Sequence, residues 1–129
     1  MLSNIFSILA LYALWVIVLL NAQAMVGIAQ HGISAMLGPR DDVGPPTGRA
    51  ARLARAKDNS VTALALFAPA VLLQATKPMV LDSAILAAQV FLVARILYPI
   101  IYVAGIPGLR TLVWVAGLLA TIWLYVVAL

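Results

Sequence analysis

The sequence predicts an all-α integral membrane protein, a single domain of four transmembrane helices bundled together. Three observations predict it. Hydrophobic residues fill 65% of the 129 positions, charged residues only 9%, and the mean hydropathy is +1.11, too apolar for a soluble domain of this size. The apolar residues gather in four long stretches, roughly Leu2 to Ala29, Ser60 to Ala75, Ser83 to Ala104 and Thr111 to Leu129, without the alternation of an outer-membrane strand. Turn formers and charges separate the first stretch from the second. The expected spans are 2–30, 50–75, 82–104 and 110–129, with an extramembrane loop at 38–48.

The first span is too long for a cleavable signal, and no basic residue precedes it. Asn21 and Gln23 lie among its aliphatic residues, where interhelical hydrogen bonding is their expected role. Gln30 and His31 mark its polar end. His31 is the only histidine and has no neighbouring carboxylates, so it makes a poor metal site and no metal is expected. The segment Gly38-Pro-Arg-Asp-Asp-Val-Gly-Pro-Pro-Thr-Gly48 follows as a loop.

The second helix is expected to begin with one or two basic turns from Arg49 to Asp58 and to reach membrane-spanning length only if they are included. Pro69 removes one backbone donor inside it, and Lys77-Pro78 closes it. At 100° per residue, Arg52, Arg55, Asn59 and Thr62 fall within about a quarter of the helix circumference. Guanidinium and amide groups on one face suit carboxylates and peptide-like backbones. Arg49 and Lys57 read as the basic flank of a span, whereas Arg55 and Asn59 fit either a flank or a ligand contact.

Asp82 or Ser83 is the expected N-cap of the third helix. Arg95, Tyr98 and Tyr102 again share a narrow face, at about 0°, 300° and 340°. Arg95 lies roughly 13 Å along the helix from Ala104. A guanidinium at that depth costs about 2.5–3.5 kcal/mol on insertion scales, so it must face a polar interior or a ligand. A structural network with Asn21, Gln23 or helix carbonyls is one reading; an anion site is the other. Gly105-Ile-Pro-Gly108 forms the last turn and Thr111 opens the fourth helix. Arg110 is either a basic flank or a cation poised over a thiolate.

The net charge is +4, and Arg40, Arg49, Arg52, Arg55 and Lys57 all lie in or beside the first loop. That loop is therefore expected in the cytoplasm, with both termini outside. Trp15, Trp114, Trp123 and Tyr125 can pack or anchor at the interfaces. The charge orients the chain, and no nucleic-acid motif is present. No cysteine occurs, which excludes disulfides, thiolate metal sites and a cysteine nucleophile.

Arg55-Ala56 with Asn59, then Ala94-Arg95, Tyr98, Tyr102, Gly105 and Arg110, resembles the MAPEG family of membrane-associated proteins in eicosanoid and glutathione metabolism, and the Gly38-Pro-Arg-Asp-Asp loop and the Gly105-Ile turn resemble its short bacterial branch in particular. The resemblance covers essentially the whole chain. It implies a homotrimer in the bacterial inner membrane, with glutathione bound as cosubstrate between neighbouring subunits and a lipophilic electrophile or hydroperoxide arriving from the lipid. Arg52, Arg55, Asn59 and Thr62, with Arg95, Tyr98 and Tyr102, would cradle glutathione, and Arg110 would stabilise its thiolate. Two departures stand out. Thr62 occupies the position where relatives commonly carry glutamate, and this chain contains no glutamate; Ala65 stands where many have proline. The expected activity is a glutathione transferase or peroxidase, with a noncatalytic lipid-binding or scaffold protein as the alternative. A small multidrug exporter is remote, because Asp41, Asp42, Asp58 and Asp82, the only acids, all fall near loops or helix boundaries.

Overall fold

Asn4 launches the first helix by capping it: its Oδ1 accepts hydrogen bonds from the backbone N–H of Phe6 at 2.9 Å and of Ser7 at 3.4 Å. The computed structural model describes residues 2–129, and all regular structure among them is helical: α1 (Ile5–His31), α2 (Ile33–Leu37), α3 (Gly48–Gln74), α4 (Asp82–Ala104) and α5 (Pro107–Ala128). Gly32, at φ +82°, separates α1 from the five-residue α2, a conformation that disfavours any residue with a Cβ.

Several local expectations change. The N-cap of α4 is Leu81, without a side-chain cap; Asp82 sits one residue inside, where its charge complements the helix dipole. Pro107, not Thr111, opens α5, since its fixed φ and missing donor suit a first turn. Thr111 lies a turn further in and donates to the Pro107 carbonyl at 3.2 Å. Asn21 makes no interhelical bond among the described residues. Its Nδ2 donates to the Ile17 carbonyl of its own helix at 2.8 Å, so an exposed amide is satisfied without a partner helix.

The core is centred on three aromatic rings from three helices. Phe67 of α3 stacks on Phe91 of α4 with centroids 3.7 Å apart, and Tyr12 of α1 meets Phe91 edge-on at 4.8 Å. The buried hydroxyl of Tyr12 is satisfied by the Ser60 carbonyl at 3.0 Å. Around these rings the interfaces use small residues, Ala56, Ala63 and Ala70 on α3 and Ala84 and Ala88 on α4, which let the backbones approach. At the opposite end of α3, buried Gln74 donates to the Leu124 carbonyl of α5 at 2.9 Å. Tyr125 donates to the Leu66 carbonyl at 2.8 Å, next to the carbonyl that Pro69 leaves without its helical donor. Leu14, Ile17, Leu86, Val93, Leu112 and Leu119 all point outward, an apolar exterior suited to lipid.

Three helices are long and apolar enough to cross a membrane: α1, α4 and α5, with mean hydropathies of 2.4, 2.0 and 2.1 in their most apolar windows. α3 has 27 residues, but Arg49, Arg52, Arg55, Lys57 and Asp58 occupy its first half. Because the three rings hold α1, α3 and α4 together, Phe91→Ala is expected to lower stability by about 3–5 kcal/mol. Denaturant unfolding of detergent-purified protein, followed by circular dichroism, measures that loss.

Candidate functional site

Arg95 is the buried centre of the polar region. Only 4% of its surface is exposed, and its Nη1 donates to Oδ1 of Asn59 at 3.0 Å. Its guanidinium carbon lies 5.6 Å from the Phe91 ring centroid and 5.9 Å from that of Tyr98, so two π faces supply electron density where no carboxylate does. Gly117 of α5 provides the space. A Cβ there would come within 2.7 Å of Arg95 Nε, a buried atom without a hydrogen-bond partner among the described residues.

The other arginines surround the end of α4. Arg52 Nη1 donates to the Val103 carbonyl at 3.2 Å, satisfying one of the last acceptors of that helix. Gly105 ends α4 in the left-handed region at φ +82°, and a Cβ there would stand 2.5 Å from Arg52 Nη1. The backbone conformation therefore favours glycine, and any Cβ there would also displace the tip of Arg52. Arg55 Nε donates to the Tyr102 hydroxyl at 3.1 Å, while the guanidinium carbon of Arg110 lies 4.9 Å from the centroid of the same ring. Tyr102 is thus held between two cations, and Tyr98 lies beside it with centroids 5.6 Å apart.

Two open clefts share Tyr102 and Arg110. One, of about 230 Å³, is also lined by Arg52, Arg55 and the Gly105–Pro107 turn; the other, of about 300 Å³, by Tyr98, Thr111 and Trp114. The single side-chain ion pair among the described residues joins neighbouring Lys57 and Asp58, so no carboxylate pairs with any arginine of the clefts. Such a site attracts anions.

The structure brings together seven of the eight residues singled out in the sequence: Arg52, Arg55, Asn59, Arg95, Tyr98, Tyr102 and Arg110. Thr62 stays apart. It is exposed, and its hydroxyl donates to the Asp58 carbonyl of its own helix at 3.0 Å. The helical wheel explains the difference. The buried positions of α3, including Ala56, Ser60, Ala63 and Phe67, centre about 40° from Arg52, whereas Thr62 lies about 120° from that centre. Arg55 is nearly as far round, but its long side chain bridges back to Tyr102. Gly117, Thr111 and Trp114 were not singled out as site residues; a glycine inside an apolar helix is the signal for Gly117.

These features define a helical membrane protein with a cationic cleft free of paired acids. The MAPEG family model matches residues 5–129, and the chain belongs to the MAPEG family. It is an integral membrane protein of a family associated with glutathione and eicosanoid metabolism. Neither the curated proteins nor the solved structures yielded a match.

Asn59→Leu removes the hydrogen-bond partner of a buried cation and is expected to cost about 1.5–3 kcal/mol. Gly117→Ala overpacks the same guanidinium and is expected to cost about 1–3 kcal/mol. Combining them in a double-mutant cycle checks the link: both changes act on Arg95, so their effects are expected to be non-additive.

Proposed function

We propose that the chain is a glutathione-dependent membrane transferase or peroxidase, acting as a homotrimer on a lipophilic electrophile or hydroperoxide. The observation that carries this reading is the cleft in which Arg52, Arg55 and Arg110 meet around Tyr102 without a paired carboxylate. Glutathione is a peptide with two carboxylates and a thiol. Guanidinium groups match the carboxylates, and the Asn59 amide together with the Tyr98 and Tyr102 hydroxyls matches the peptide groups. The family resemblance assigns Arg110, which lines both clefts, to the sulfur.

A nearby guanidinium favours the thiolate over the thiol, and the thiolate is the nucleophile. In conjugation it forms a carbon–sulfur bond as the leaving group departs. In peroxide reduction it attacks one oxygen of the O–O bond, giving the sulfenic acid of glutathione and releasing the alcohol, and a second glutathione then displaces water to close the disulfide. The clefts open at the surface, which supports completion by a neighbouring subunit. The charge pattern orients the chain, with α3 taken as a fourth span, the α1–α3 loop as cytoplasmic and both termini as outside, and the resemblance to the short bacterial branch of the family implies a bacterial inner membrane.

Thr62 favours a second reading. It offers a hydroxyl and no charge for the glutathione amino group, and that hydroxyl is engaged with its own helix. A noncatalytic, lipid-binding MAPEG protein is consistent with that feature.

Turnover separates the two. Purified protein is expected to conjugate or oxidise glutathione with lipophilic electrophiles or hydroperoxides, and Arg110→Ala to lower kcat by about 100-fold or more. Arg110→Lys is expected to recover part of the loss, because it restores the charge but not the planar fork. Calorimetry of glutathione binding, run beside the assay, assigns the effect to chemistry if affinity falls much less than kcat. Absence of glutathione binding in the wild type would favour the noncatalytic protein.

A further inference from the structure

The arginine cleft leaves one charge of a peptide thiol unanswered. Glutathione carries an ammonium group beside one of its two carboxylates, and Arg52, Arg55 and Arg110 repel it. A cation held among cations needs an anion of its own. Thr62 supplies none, because its hydroxyl is uncharged and engaged with the Asp58 carbonyl.

The chain has four acids, and their positions leave one candidate. Asp41 and Asp42 lie in the loop after α2, and α2 packs on α1, away from the helices of the cleft. Asp82 opens α4, about 30 Å along that helix from the end that carries the cleft. Asp58 lies on α3 itself, one turn beyond Arg55. At 100° per residue it falls about 60° from Arg55 and about 40° from Thr62, on the outward side of the same stripe. Residues three apart on a helix have Cβ atoms about 5–6 Å from each other, so Asp58 stands at the rim of the cleft that Arg55 lines.

Two observations keep that carboxylate open to a ligand. Arg55, the cation at pairing distance along the helix, is turned toward α4, where its Nε donates to the Tyr102 hydroxyl at 3.1 Å. Asp58 instead pairs with Lys57, its neighbour in sequence, and its side chain is 69% exposed. Adjacent residues on a helix do not face each other, and an exposed pair contributes little, so an incoming ammonium group can displace Lys57 at small cost.

We propose that Asp58 receives the ammonium group of glutathione, so that the cleft selects thiol peptides with a free α-amino group. The assignment rests on the glutathione reading and adds to it the counter-ion that Thr62 cannot supply. The sign of the effect sets it apart from general electrostatics. Glutathione is a net anion, so loss of a negative charge nearby would by itself tighten its binding. A loss of affinity on neutralising Asp58 therefore reports the ammonium contact.

Calorimetry on the detergent-purified full chain tests it with two ligands, glutathione and its desamino analogue, in which hydrogen replaces the ammonium group. Asp58→Asn is expected to weaken glutathione binding about tenfold, the effect of one charge-assisted contact. The analogue, which has no ammonium group to lose, is expected to bind this variant no more weakly than it binds the wild type. Asp58→Glu, which keeps the charge, is expected to bind glutathione more tightly than Asp58→Asn does. The side chain is exposed, so neither change opens a cavity, and circular dichroism establishes that both variants are folded. Undiminished glutathione affinity in Asp58→Asn, equal weakening of both ligands, or equal losses in the two variants would overturn the role of Asp58 and leave the glutathione reading standing. Absence of glutathione binding by the wild type would overturn both.

Discussion

Positive charge without a paired acid is the constraint on which the functional end of this bundle depends. Arg52, Arg55 and Arg110 line one cleft, Arg95 lies buried behind it, and none makes an ion pair among the described residues. Each is instead stabilised by neutral groups: the Val103 carbonyl, the Tyr102 hydroxyl, the Asn59 amide and three aromatic faces. Neutral partners lower the cost of burying a cation without cancelling its charge. The net field therefore remains available to a ligand, and it acts more strongly where water is scarce.

Keeping those cations in place demands space, and the fold supplies it through missing side chains. Gly117 yields the volume that Arg95 occupies, while Gly105 ends α4 in the left-handed region and leaves room for Arg52. Alanines along α3 and α4 bring the backbones close enough for Asn59 to meet Arg95. One turn along the same face of α4, Phe91 stacks on Phe67 of α3, sets the separation of the two helices and also presents its ring to Arg95. The core and the site thus share residues, so packing defects are expected to reach the chemistry.

How much of this was legible depended on whether a residue's role is set within its own helix. Hydropathy alone marked the helical, membrane-spanning character, and helical periodicity put Arg95, Tyr98 and Tyr102 on one face, where the structure has Arg95 against Tyr98 and Tyr98 against Tyr102. Partner choice was not legible. Arg95 could have met Asn21 or Gln23, but the amide of Asn21 is taken by a carbonyl four residues back, a local alternative open to short polar side chains in any helix. Thr62 shares the stripe of Arg55 and Asn59, yet it lies farther round the helix and is too short to turn back. The five-residue α2 carries no periodicity to read, and the role of Gly117 becomes visible only once α5 is packed against Arg95.

The measurement that tests the central claim most directly is a pH titration of the thiol of bound glutathione, followed by thiolate ultraviolet absorbance. A free thiol ionises near 8.5. If the acid-free arginine cleft stabilises the thiolate, the bound thiol ionises clearly below that value in the wild type and returns toward it in Arg110→Ala. Ionisation at the free value in the wild type, or a lowered value that Arg110→Ala leaves unchanged, would contradict the account.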